Sequence, residues 1–490
     1  MRYSIAFFLL LPGWAFAQLQ TDRIFSSNMV LQRNKPIHIW GRALPGNTVE
    51  VSFSGHIKKA VVKADSSWTV FLPGQKANPV PQDLRIVSGK VQLTLRNLLI
   101  GDVWICIGQS NMEWPMIREM HYKEAVVTSN QPLLRFYNPT YAGKNTFNTF
   151  FSDSVLKDLS VERFFKGQWE VSDSNSFRTM SAVAYYYGRS IVEATQVPIG
   201  LINLSIAGAP LETFIDIKAL RNSPQFSEKA REPWLTNAAI PTWVKERGNQ
   251  NLRTGTNHPF KPGFVYAAGI EPIAGLAIKG IINYQGESNA QEPDRVNEYA
   301  ALSGLMVKDY RTLFKNPAMP YYFVQLSSID TLKYKGHFWH LFRNEERKIL
   351  DLVPNSGMAV STDHGLKDNV HPVNKKIVGE RLARWALNRD YGQNIVPSGP
   401  LPTKAVYINE RILIHFKYKG KGLNTSDKQL LRGFSLDGIQ HCDARIEAGG
   451  VLIKTAAKPA YIYYNWKPYT EGNLMNSEKL PASTFKIKVE

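Results

Sequence analysis

Residues 108–112 read GQSNM and close an apolar run, LLIGDVWICI, that reads as a buried strand. A serine in a glycine-led turn at a strand end stands where the N–H groups of a helix entry can face an oxyanion, so Ser110 is a candidate nucleophile. A free hydroxyl is a poor nucleophile and needs a base, and the base needs an orienting acceptor. The stretch DNVHP at 368–372 offers both: His371 as base, and Asp368 three residues earlier to hold the other imidazole nitrogen in one tautomer. A third stretch, YQGESNA at 284–290, follows the apolar run GLAIKGIIN. Taken singly, each residue has a plainer reading. Ser110 and Asp368 would cap helices, and His371 would be structural. Their combination at the ends of strands in an α/β pattern favours a Ser-His-Asp hydrolase, because sites in parallel α/β sheets lie beyond the carboxyl ends of strands.

Other chemistries find less support. HFWHLF places two histidines at i and i+3, but the HExxH pattern and a third ligand are missing, so no metal is expected. GKG at 420–422 is not a dinucleotide fingerprint, and no organic cofactor is expected. Glu287 with Asp102 or Glu113 would make a glycosidase pair, although any chain of this size supplies such pairs. Met112 occupies the last glycine's place of a G-x-S-x-G elbow, which speaks against an ordinary α/β-hydrolase.

The elements that must position these residues belong to a chain of 490 residues, long enough for several domains. With 43% hydrophobic and 20% charged residues it is globular and not disordered. Residues 1–17 read as a signal peptide: Arg2, an apolar stretch over 5–11, and a small-x-small site at Ala15 and Ala17, with cleavage after Ala17. The run is broken at Pro12 and Gly13 and is too short to span a bilayer, so an exported protein, periplasmic or extracellular and without a membrane anchor, is expected. The two cysteines, Cys106 and Cys442, lie far apart, and no bridge between them is expected. The formal charge of +18, from 59 Lys and Arg against 41 Asp and Glu, is scattered, without a block of five basic residues. That describes a basic solvated surface and not a nucleic-acid site.

Residues 18–98 show short β runs such as PIHIWG, TVEVSF and KVQLTLRN between turn residues, which predicts an N-terminal β-sandwich. From 99 to 390, apolar strands alternate with helical periods, including helices over 181–194 and 375–387. This is the pattern of a parallel sheet covered by helices on both sides. Segments 130–175 and 217–265 lack a clear period and read as long loops over the site. Residues 391–490 return to β texture as a small C-terminal β module.

The stretches GDVWICIGQSNMEWPM, NLSIAGAPLETF, YQGESNA and DNVHPVNKKIVGERLA, in that order, together with MVLQRNKPIHIWGRALPGNTVEV and SSWTVFLP, resemble the sialate O-acetylesterase family of the SGNH hydrolase superfamily. The resemblance covers most of the chain. It implies a flavodoxin-like three-layer α/β/α domain with a parallel sheet, acting without metal or cofactor on an acetylated carbohydrate. It also implies Ser110 as nucleophile, His371 as base and Asp368 as its orienter. Oxyanion donors would be the N–H groups of Ser110 and Gly208 and the side chain of Gln285, with Asn289 as the alternative third donor. Gln109, Asn111, Glu287 and Asn289 would contact substrate. The chain departs from the family pattern at Ala207, Phe214 and Asn283, positions that the resemblance implies as acyl and sugar pocket walls. Sialate O-acetyl esters are the first expectation and acetylated xylan the second, with a non-catalytic carbohydrate-binding protein as the reading from another class. Oligomeric state is not legible.

Overall fold

A computed structural model describes residues 19–490 except 333 and 448, so the expected signal peptide lies outside the described residues. The centre is a seven-stranded sheet: β1 (Val91–Gly108), β2 (Gln131–Tyr137), β3 (Trp169–Ser172), β4 (Ile199–Asn203), β5 (Gly280–Tyr284), β6 (Tyr321–Gln325) and β7 (Ser356–Val360), in the order β3-β2-β4-β1-β5-β6-β7. Only β3 runs antiparallel to its neighbour. Every residue of β4 to β7 is buried, as is β1 from Leu98 onward. Burial of both faces explains why these strands read as unbroken apolar runs and not as alternation.

Four long helices follow the strands: α1 (Ala182–Thr195), α2 (Pro293–Leu313), α3 (Trp339–Leu352) and α4 (Lys376–Arg389). α1 packs on α4, and α2 on α3. Ser181 caps α1 by accepting from the Ala184 N–H at 3.1 Å, and Trp385 ties α4 to the sheet by donating to the Met358 carbonyl at 3.0 Å. Segment 130–175, expected as loop, instead supplies β2 and β3 at the sheet edge. Their polar flanks dilute a short apolar centre, Leu134–Tyr137, that pairs with β4. Segment 217–265 likewise contains a helix, Thr242–Asn251.

The N-terminal β region is joined to this sheet through β1 itself. The first half of β1 pairs antiparallel with Asn78–Ser88 and parallel with Val30–Gln32. The boundary expected at 98/99 therefore falls inside one strand, and one hydrophobic cluster extends from Ile24 to Leu401. A second cluster, Ala405 to Val489, is wrapped by antiparallel strands including Leu401–Ile408, Arg411–Lys417 and Gly450–Lys454. Cys106 and Cys442 are free thiols. Among the described residues no helix is long and apolar enough to cross a membrane, and no group of three or more His, Cys, Asp or Glu could hold a metal ion.

Candidate active site

β1 ends at Gly108, whose φ is +138° and where an added Cβ would fall 2.2 Å from the Tyr284 carbonyl oxygen. Glycine alone lets the strand finish so close to β5 and turn into the single helical turn Ser110–Glu113. Ser110 opens that turn, half-buried. Opposite it, the bend before α4 carries His371, whose Nε2 lies 2.8 Å from Ser110 Oγ. The Trp114 indole stacks on the imidazole at 5.5 Å between ring centres, and the His371 N–H donates to Asn369 Oδ1 at 2.9 Å. Burial first, then the charges of Lys375 and Arg118, push the His371 pKa down to about 4. The ring is therefore neutral at pH 7, the state a general base requires. Asp368 is exposed in the same bend, three residues earlier.

Gly208, at φ +76°, lies in the loop after β4, which is docked on the end of β1 by the Ile206 N–H donating to the Gly108 carbonyl at 3.0 Å. The Gly208 carbonyl accepts from Ser288 Oγ at 2.9 Å, whereas its N–H finds no acceptor among the described residues. A free N–H beside the serine turn is what an oxyanion donor looks like before substrate arrives. Gln285 is placed differently. Its amide nitrogen already donates to Asn289 Oδ1 (2.8 Å), Gln109 Oε1 (3.2 Å) and the Ala209 carbonyl (3.3 Å), while its oxygen accepts from Tyr299 at 2.7 Å. Asn289 in turn accepts from the Leu211 N–H and donates to Glu212. Both side chains brace the loop: Gln285 has no N–H to spare, whereas Asn289 spends one of its two on Glu212.

The same holds for the expected substrate contacts. Gln109, Asn111, Glu287 and Asn289 are all buried, and hydrogen bonds tie each of them into the framework around the serine turn. Gln109 Oε1 collects the N–H groups of Gly286 (3.4 Å) and Ser288 (3.2 Å), binding the serine turn to the 284–290 loop. Asn111 donates to Glu287 and to the Val370 carbonyl, the latter at 3.0 Å, linking that loop to the His371 bend. Buried polar groups demand such partners, and these bonds fix the geometry, although Glu287 Oε2 is left without one among the described residues. Phe214 and Asn283 are also buried, Asn283 donating to the Tyr321 hydroxyl inside the sheet at 2.7 Å. Ala207 is half-buried with its N–H on Glu113 at 2.7 Å. Asp102, considered for a carboxylate pair, is held by Arg33 at 2.8 Å.

Sequence reasoning missed Lys375, Trp114 and Glu119. Lys375 is buried, donates from Nζ to Asn111 Oδ1, and lies 5.5 Å from the Trp114 ring and 5.4 Å from that of Tyr284. Burial lowers its pKa to about 7 against the pull of Glu287 and Glu119, and burial raises that of Glu287 to about 7. Glu119 accepts from the N–H groups of Lys375 and Lys376 at the start of α4, a favourable place for a carboxylate. Nothing in the residue types marked these three, since their roles come from tertiary approach.

A family model described as carbohydrate esterase, sialic acid-specific acetylesterase, matches residues 261–388, a span that includes Gln285, Asp368 and His371 but not Ser110. A sialate O-acetylesterase of Pongo abelii is 29% identical over 428 residues, covering 80% of this chain and 75% of that protein. The sialate O-acetylesterase of Homo sapiens is 28% identical over 428 residues, with the same coverage of each chain. The crystal structure of a carbohydrate acetylesterase from Xanthomonas citri superposes with a TM-score of 0.79 at 27% identity, covering 96% of this chain and 99% of that one.

Proposed function

We propose that this chain, which is similar to sialate O-acetylesterases over 80% of its length, hydrolyses O-acetyl esters of sialic acid through an acyl-enzyme on Ser110. The observation that carries this reading is the 2.8 Å contact between His371 Nε2 and Ser110 Oγ, with the imidazole held neutral. Ser110 Oγ attacks the acetyl carbonyl while His371 Nε2 takes its proton. The tetrahedral oxyanion is received by the N–H groups of Ser110 and Gly208. Collapse passes the proton from His371 to the departing sugar oxygen, and water repeats the sequence on the acetyl-serine. Asp368, in the same bend, serves as orienter of the imidazolium that forms between these steps.

The architecture proposed with this chemistry is a flavodoxin-like three-layer α/β/α domain, supported by a parallel sheet buried on both faces and by its two helix pairs. The protein is proposed to act after export. Acetate release from 9-O-acetylated sialic acid and from acetylated xylo-oligosaccharides tests the function. Ser110→Ala is expected to lower kcat on the sialate by about 10⁴-fold or more. Release from xylo-oligosaccharides alone would move the substrate to plant polysaccharide, and no release from either, with an unreactive Ser110, would sink the esterase mechanism.

A further inference from the structure

Away from Ser110, the C-terminal β region forms an open cavity of about 380 Å³. Its lining combines the rings of Trp466 and Tyr469 with the polar heads of Arg432, Lys467, His441 and Glu471. The volume falls within the range of roughly 300–1,000 Å³ that small-molecule sites occupy. The charges do not make an anion trap. Arg432 is already paired with Asp427 at 2.5 Å, and the lining holds the acidic Glu471 as well as the basic Lys467. A neutral ligand with one apolar face and a rim of hydroxyls fits such a wall: the aromatic faces take ring C–H groups, and the polar heads take hydroxyls. A pyranose is that ligand.

The cavity is also placed against the catalytic bend. The Tyr469 ring receives Lys367 Nζ at 5.3 Å, and Lys367 stands four residues before His371 in the chain. Thr470 Oγ1 contacts Ser328 Oγ at 3.0 Å, in the loop after β6, and the Lys367 carbonyl accepts from the Asp330 N–H of that loop at 3.1 Å. On its other side Trp466 is propped edge-on by His340 of α3, with ring centres 5.1 Å apart.

We propose that this cavity is a second saccharide site, holding one or two pyranose units of an acetylated glycan beyond the unit whose ester is cleaved. The proposal rests on the esterase reading for its link to catalysis, and binding can be measured without that reading. Full-length wild type, Trp466→Ala and Tyr469→Ala would be compared on 4-nitrophenyl acetate, on acetylated monosaccharide, and on acetylated sialyl- and xylo-oligosaccharides. Tryptophan fluorescence titrations with the deacetylated oligosaccharides would be run alongside. Expected are nitrophenyl acetate and monosaccharide kcat/KM within about twofold of wild type, an oligosaccharide KM raised about tenfold or more at unchanged kcat, and loss of the fluorescence response. Which oligosaccharide series shows the effect identifies the glycan. Should wild type cleave no ester at all, the esterase reading falls while a saturable titration still supports the site. A wild-type titration that stays flat for both oligosaccharide series, or an oligosaccharide KM indifferent to both substitutions, overturns the proposal.

Discussion

Lys375 places a positive charge near His371, the proposed base, and helps to keep it unprotonated. His371 titrates near 6.5 when unfolded and near 4 in the fold, burial being the larger cause and Lys375 the next. Between those values the unfolded chain binds the extra proton, so stability from this group is lost as pH falls from the unfolded pKa toward the folded one. Activity should persist to lower pH, falling as pH drops through about 4 in the free enzyme. Lys375→Met removes the charge, and the acid limb of kcat/KM on nitrophenyl acetate is expected to move upward, toward the ordinary histidine value. A limb that stays in place while kcat/KM drops at every pH would show that Lys375 acts through packing alone. The approach of His371 to Ser110 was legible in the sequence, because GQSNM and DNVHP are unusual together at the ends of strands. Lys375 and Trp114 were not, since one lysine after a proline-led bend looks like any other until α4 folds it under the serine turn.

The turn after β1 depends on a backbone shape that side chains resist. Gly108→Ala would put a Cβ into the Tyr284 carbonyl at a φ of +138°, and a loss of more than about 2 kcal/mol is expected in urea unfolding. kcat/KM should fall further than stability, because Ser110 would shift away from His371. Wild-type stability in the variant would mean that β5 can yield. The parallel strands could be read from the sequence because burial on both faces leaves uninterrupted apolar runs, whereas β2 and β3 escaped because short edge strands in polar surroundings carry too few periods to show. The loop of Gln285 and Asn289 was legible as the one that follows β5, but the bonds its amides make to each other and to Gln109 and Glu212 were not: periodicity says which strand a loop follows, not whether its amides face solvent or one another.

At the scale of the molecule, Arg343 of α3 is fully buried and donates to the carbonyls of Asn465 (3.2 Å), Pro468 (3.0 Å) and Lys467 in the C-terminal region. Its pKa is lowered to about 9 by burial. Gln325 at the end of β6 adds its amide oxygen to the Thr484 N–H at 3.1 Å. Arg343→Met removes the donor to the buried Asn465 carbonyl and to those of Lys467 and Pro468, the last of which keeps the Ile329 N–H, so a loss of about 2 kcal/mol is expected, with protease cleavage appearing first beyond residue 400. Cleavage sites unchanged from wild type would assign the junction to other contacts. Texture along the chain announced β-rich ends but not their attachment, since strand patterns reveal faces and not which sheet receives them. The attachment through β1 has an arithmetic consequence for anyone recombining this chain with its relatives. Successive residues of a strand point to opposite faces, so a seam in the first half of β1 that gains or loses one residue either breaks the pairing with 78–88 or inverts the strand leading to the serine. Chimaeras joined there should divide into working and dead ones by the parity of the splice.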